Sequence, residues 1–246
     1  MTPPRTAPPP ASLPPYEERG LHRFRIGAGF GLAAGFVTIV VPFVFLGLAA
    51  YNPGGIFTFN PTLLQYANWF VIAGALLFIL SLMMYRWGFS ALRKLDPRFN
   101  AAVILCWIGS VGFLLVLVIA SYFLGSMNSV IACVHGQPTL ALSCLNSLSP
   151  LGAATAVIGF WLAWIGSLGL VAGLLLGGAR LPSGLFIAGG ILYALFLVVL
   201  IVPFASMLTQ VPAVQYVLVL APFFVILAPA FVLGGARRAD SAVPPG

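Results

Sequence analysis

The chain reads as an all-α protein, a polytopic membrane helix bundle with six transmembrane helices and both termini cytoplasmic, and three observations lead there. The first is composition. Of the 246 residues, 61% are hydrophobic and 6% charged, against roughly 45–50% and about 25% in soluble domains. The second is segmentation. Residues 26–50, 67–85, 101–124, 153–176, 184–207 and 214–233 are apolar and free of Asp, Glu, Lys and Arg. Each reaches the roughly 17–25 residues a helix needs to cross a bilayer core of about 30 Å. They are apolar on every face, unlike the alternating runs of about 9–11 residues that form transmembrane strands.

The third observation is the placement of charge. Arg5, Arg19, Arg23 and Arg25 precede the first span, and Arg86, Arg93, Lys94 and Arg98 lie between the second and third. Arg180 lies between the fourth and fifth, and Arg237 and Arg238 follow the sixth. Six crossings put all of these on one face, and the positive-inside rule makes that face cytoplasmic. A count differing by one helix would scatter them over both faces. The net charge of +7 is thus a footprint of topology and points to no nucleic acid; the partners expected are the lipid bilayer and a membrane protein or second copy of the chain.

The elements follow in order. Residues 1–20 form a proline-rich cytoplasmic tail: Pro3, Pro4, Pro8, Pro9, Pro10, Pro14 and Pro15 leave nothing to pack a core. Pro15 followed by Glu17 and Glu18 has the form of a helix start, so the first helix is expected to protrude below the membrane with His22 on a wet turn. The six-helix domain occupies residues 21–236, and 237–246 are a short cytoplasmic tail. The first span is too long for a signal h-region and follows a long polar segment, so it is read as retained.

Gly27, Gly31 and Gly35 in the first span form a GxxxGxxxG ladder, as do Gly169, Gly173 and Gly177 in the fourth. Glycines four apart let another backbone approach closely, which in lipid is what drives association. Both ladders lie in the cytoplasmic half, and the expectation is that they face each other. Pro42, Pro203 and Pro222 lie toward the outer ends of their spans and Pro229 lies deeper. Each removes a helix hydrogen bond and favours a kink, which predicts a bundle tight at the cytoplasmic end and splayed outside.

Between the second and third spans, Phe89, Leu92 and Leu95 share one side at helical spacing opposite Arg86, Arg93 and Lys94. This predicts that the second helix continues into the headgroups and lies along them until Pro97. The longest outer loop, residues 125–152, carries Cys133, His135 and Cys144. Outside the cytoplasm thiols meet oxidising conditions, so a Cys133–Cys144 disulfide is expected; a metal site lacks a fourth ligand and a familiar zinc spacing. Cys106, inside the third span, reads as a small core residue.

The strings EERGLHRFRIGAG (17–29), YRWGFSALRKLDPRF (85–99) and LGGARR (233–238) resemble those of a family of archaeal multi-pass membrane proteins known only as a domain of unknown function. The resemblance covers most of residues 17–238 and implies the multi-pass fold; it brings no catalytic or ligand residues.

No span contains Asp, Glu, Lys, Arg or His, and no Walker-type loop, HExxH or GxSxG occurs. Ser81, Ser110, Thr155 and Ser167 therefore have no intramembrane base to activate them and are expected to bond to backbone carbonyls. Proton relays and voltage sensors need the ionisable groups that are missing. The reading is a non-catalytic structural or accessory subunit of the cell membrane with no cofactor and no metal; the alternative is a passive transporter or pore for small neutral solutes.

Overall fold

The computed structural model describes residues 14–37, 61–125, 147, 149–181, 183–209 and 221–241. Among these the chain is helical with no strand. The helices are α1 (Pro15–Gly35), α2 (Pro61–Leu92), α3 (Phe99–Gly125), α4 (Pro150–Arg180), α5 (Gly184–Thr209) and α6 (Ala221–Ser241). Ile72–Leu92, Phe99–Ile119 and Pro150–Arg180 are long and apolar enough to cross a membrane, and Gly184–Val199 is a shorter apolar helix.

Local chemistry sets the helix ends. Proline stands at the first turn of α1 and α4, where its missing N–H costs nothing and its fixed φ suits the helix. Glu17 and Glu18 add negative charge at the α1 N-terminus, favourable to the helix dipole. The Ser149 side chain caps α4 by accepting the Gly152 N–H at 3.1 Å, a cap of the strongest type. At the end of α2, the Asp96 carboxylate accepts the Arg98 N–H at 2.9 Å and Pro97 excludes helical geometry from the residue before it. The chain then turns directly into α3, with the Phe99 N–H donating to the Asp96 carbonyl at 3.2 Å.

Successive helices pack side by side, and α6 packs back on α1, so the six close into a ring. Neighbours run antiparallel. Gly20 lies on Leu92 and Gly27 on Met84; Gly109 lies on Gly166 and Gly169 on Leu105; Gly189 lies on Val232 and Gly235 on Leu185. Arg19, Arg23, Arg25, Arg86, Arg93, Lys94, Arg98, Arg180, Arg237 and Arg238 consequently gather at one end of the bundle. The core at that end is made by Leu21, Phe24, Phe89, Leu92, Phe99 and Phe186, all fully buried. The outer surface keeps large apolar side chains such as Leu114, Val118, Ile158 and Val198 exposed, as suits a helix that meets acyl chains.

One expectation needs correction. The second helix continues past its span to Leu92, as expected, but its apolar face does not lie against headgroups: Phe89 and Leu92 are buried in the protein while Leu95 is exposed. The protein core competes with lipid for the same apolar face and wins because α1 extends beside it from Pro15. His22 is exposed as expected, but the turns around it are packed, with Leu21 and Phe24 fully buried.

Candidate functional site

At the basic end three layers stack along the ring interior. The outermost is an ion pair: the Arg180 guanidinium, at the C-terminus of α4, donates to Asp96 Oδ2 at 2.9 Å. Asp96 is buried and Arg180 largely exposed. The pair ties the α2–α3 turn to α4, which is two helices away in sequence. The Arg98 N–H and the Arg180 guanidinium hold the Asp96 carboxyl below its ordinary value. A depressed folded-state value means that Asp96 stabilises the fold above the unfolded carboxylate range, about 3.9, and that this contribution disappears as pH falls through the lowered value. Thermal unfolding of Asp96→Asn in detergent is expected to lie below wild type at neutral pH, with the gap closing as pH falls below about 4. A gap independent of pH would mean that the carboxylate charge is not what holds the turn.

The second layer is an aromatic plug. Phe24 of α1 meets Phe89 of α2 at 5.1 Å between ring centroids and Phe186 of α5 at 5.8 Å. Phe89 stacks on Phe99 at 6.0 Å and on Tyr85 at 6.4 Å. Offset and edge-on contacts of this kind are favourable beyond the area they bury, and here they bring four helices together.

The third layer is hydroxylic. The Ser81 hydroxyl donates across the α1–α2 contact to the Gly27 carbonyl at 2.7 Å. The Tyr193 hydroxyl of α5 and Ser81 Oγ both border Gly31. The Tyr85 and Tyr193 hydroxyls neighbour each other, but Tyr85 Oη is buried without reaching hydrogen-bond geometry with any group. Among the described residues other hydroxyls bond back to their own helices: Ser110 donates to the Cys106 carbonyl at 2.8 Å, Ser121 to Leu117 at 2.8 Å, Ser167 to Ala163 at 2.7 Å and Thr155 to Leu151 at 2.7 Å. Cys106 is a buried free thiol. Among the described residues no three His, Cys, Asp or Glu side chains converge as metal ligands.

The glycine ladders find different neighbours. Gly27 lies against Met84 and Ser81, Gly31 against Ser81, Pro229 and Tyr193, and Gly35 against Val225. Gly173 lies against the Phe89 ring, and Gly177 has open space where a side chain would go. The expected meeting of the two ladders is therefore overturned: α1 packs on α2 and α6, and α4 on α3 and α5. Proline takes part in this. Pro229 is buried against Gly31, and the carbonyl it frees four residues earlier, on Val225, points at Gly35, 3.3 Å from where a Cβ would stand. A glycine Cα–H facing an unbonded carbonyl is a weak but favourable contact. Pro203 lies within α5 and Pro222 at the start of α6.

Among the described residues the closest backbone approach involves glycines outside both ladders. A Cβ on Gly112 would fall on Ala163 N, and one on Gly166 on Gly109 N. The signal was present as GxxG at 109–112 and as Gly159 and Gly166 preceding Gly169, but it does not follow the four-residue spacing. Pro42, Cys133 and Cys144 lie outside the described residues. Comparison with protein-family models, with curated proteins and with solved structures returns no match.

Proposed function

We propose that this chain is a six-span integral protein of the cell membrane, with both termini in the cytoplasm, that acts as a non-catalytic structural or accessory subunit. The observation that carries the reading is the solid basic end: a closed ring whose interior is filled by Phe24, Phe89, Phe99 and Phe186. Packed helices with exposed apolar faces are what a scaffold needs. The proposal extends to kinship with the archaeal multi-pass family, on the strings at 17–29, 85–99 and 233–238.

A second reading, passive movement of small neutral solutes, draws on the Tyr85 hydroxyl, a buried polar group left without a partner in the middle of the ring. Reconstituted protein separates the two. Liposome swelling with glycerol or small amides at the rate of empty vesicles, together with co-purification of a membrane partner, is the expected result; protein-dependent swelling lost in Tyr85→Phe would establish transport instead.

Topology has its own measurement. In a cysteine-free background, single cysteines at Arg19 and Lys94, both exposed, are expected to be shielded from an impermeant thiol reagent in intact cells, whereas one at Thr58 reacts. In the native chain Cys133 and Cys144 are expected to react only after reduction, as a disulfide requires. Labelling of Lys94→Cys from outside would overturn the orientation, and labelling of both native thiols without reductant would remove the disulfide.

A further inference from the structure

We infer that the outer groove between α2 and α3, at the basic end, seats the headgroup of an anionic phospholipid, with Arg86 as the phosphate-facing cation and Trp107 as its platform. The inference rests on the reading of the chain as membrane-embedded. Arg93, the first residue after α2 and still bonded in helical fashion to the Phe89 carbonyl, is seven residues from Arg86, as Trp107 is from Asn100 on α3, so each pair shares a side of its segment. The antiparallel helices bring the faces together in two rungs. Arg93 Nη1 donates to Asn100 Oδ1 at 3.3 Å, and the Arg86 guanidinium carbon lies 5.0 Å from the Trp107 ring centroid.

The two rungs differ in what surrounds them. Arg93 and Asn100 are exposed at the end of the bundle. The Arg86–Trp107 rung lies one heptad deeper, about 10 Å along the helix, a depth that matches the passage from headgroups to acyl chains. Beyond it the exposed α3 stripe turns aliphatic: Val111, Leu114 and Val118 continue the face on which Trp107 is 48% exposed. A cation followed by an amphipathic indole and then by aliphatic side chains repeats the polarity profile of a phospholipid.

Arg86 makes no ion pair among the described residues. Asp96, the acidic side chain nearest in sequence, is taken by Arg180, and the Arg86 Nε is buried without a hydrogen-bond partner, out of a headgroup's reach, so the two Nη nitrogens are what a phosphate would meet. A guanidinium does not lose its proton, and its planar fork favours phosphate oxygens. The Trp107 ring satisfies the face of the cation and leaves its edge for hydrogen bonds. A zwitterionic headgroup presents the same phosphate together with an ammonium, which the surrounding Arg93 and Lys94 disfavour.

Full-length protein in mild detergent, incubated with phosphatidylglycerol or phosphatidylcholine and analysed by native mass spectrometry, tests the seat. Wild type is expected to retain phosphatidylglycerol in preference to phosphatidylcholine. Arg86→Gln is expected to lower the retained fraction roughly fivefold, the change expected for one basic residue at an anionic surface. Arg237→Gln, which removes the same charge from α6, is expected to leave retention unchanged. Trp107→Leu reads the same seat without altering charge and is expected to reduce retention, so the test stands if Arg86→Gln fails to fold. Equal losses in Arg86→Gln and Arg237→Gln, equal retention of both lipids, or displacement of the lipid by excess inorganic phosphate would each overturn the assignment. Resistance of the wild-type chain to alkaline washing of membranes is scored separately: extraction there would remove the membrane reading, whereas retention with no lipid preference removes the seat alone.

Discussion

Leucine at Gly166 is expected to prevent α3 and α4 from closing. The position its Cβ would take is filled by Gly109 N, Gly109 Cα and the Leu105 carbonyl. All three are backbone atoms, which cannot swing aside as a side chain does. The helices must separate along their length, losing the contacts at Gly112 and Gly169 as well, so the cost should reach the upper end of the roughly 1–3 kcal/mol typical of overpacking, or exceed it. In lipid this loss is not offset by hydrophobic burial elsewhere, because association depends on close packing. Gly29→Leu is the matched comparison, since a Cβ there meets nothing within 4 Å. Thermal unfolding in detergent should rank Gly166→Leu far below wild type and Gly29→Leu close to it. Equal melting of the two variants would show that the α3–α4 seam is not built on backbone contact.

Truncation of Phe89 to alanine is expected to cost about 3–5 kcal/mol, as for other fully buried aromatic residues. Phe89 is 0% exposed, and its ring contacts Phe24, Tyr85 and Phe99 and fills the notch left by Gly173. Its loss opens a cavity shared by α1, α2, α3 and α4, with no neighbouring side chain long enough to collapse into it without breaking another stack. Leu95, three residues beyond Leu92 on what the sequence presents as the same face, is 38% exposed; Leu95→Ala should lie within about 0.5 kcal/mol of wild type, as surface changes do. Similar effects from the two substitutions would restore the interfacial helix that the sequence predicts.

These two positions show how far a membrane sequence can be read. The helix start at Pro15 was legible because proline and two carboxylates in the first turn have local physical causes, and the structure begins α1 there. The turn at Asp96 and Pro97 is equally local. Phe89 was misplaced for a different reason. In water an apolar stripe identifies the buried face, because the opposite face must be polar. At the membrane surface the pattern marks Phe89 as facing away from water, opposite Arg86, Arg93 and Lys94, but headgroups and acyl chains can cover such a face as well as a neighbouring helix can.

Glycine spacing has the same ambiguity. The ladder at 27, 31 and 35 declares that a close neighbour exists without saying which. Ring closure decided it, by placing α2 and α6 on either side of α1 and leaving α4 to α3 and α5. By itself, then, the sequence determined the all-helical class, with segments long and apolar enough to cross a membrane, and the gathering of positive charge at one end, since hydropathy and charge act on each segment independently. Only the tertiary structure decided which small residues touch, which aromatic rings fill the ring interior, and that Asp96 reaches Arg180 across 84 positions of chain. Those are properties of pairs, and in lipid the apolar side chains that surround a pair look alike whether they face protein or acyl chain.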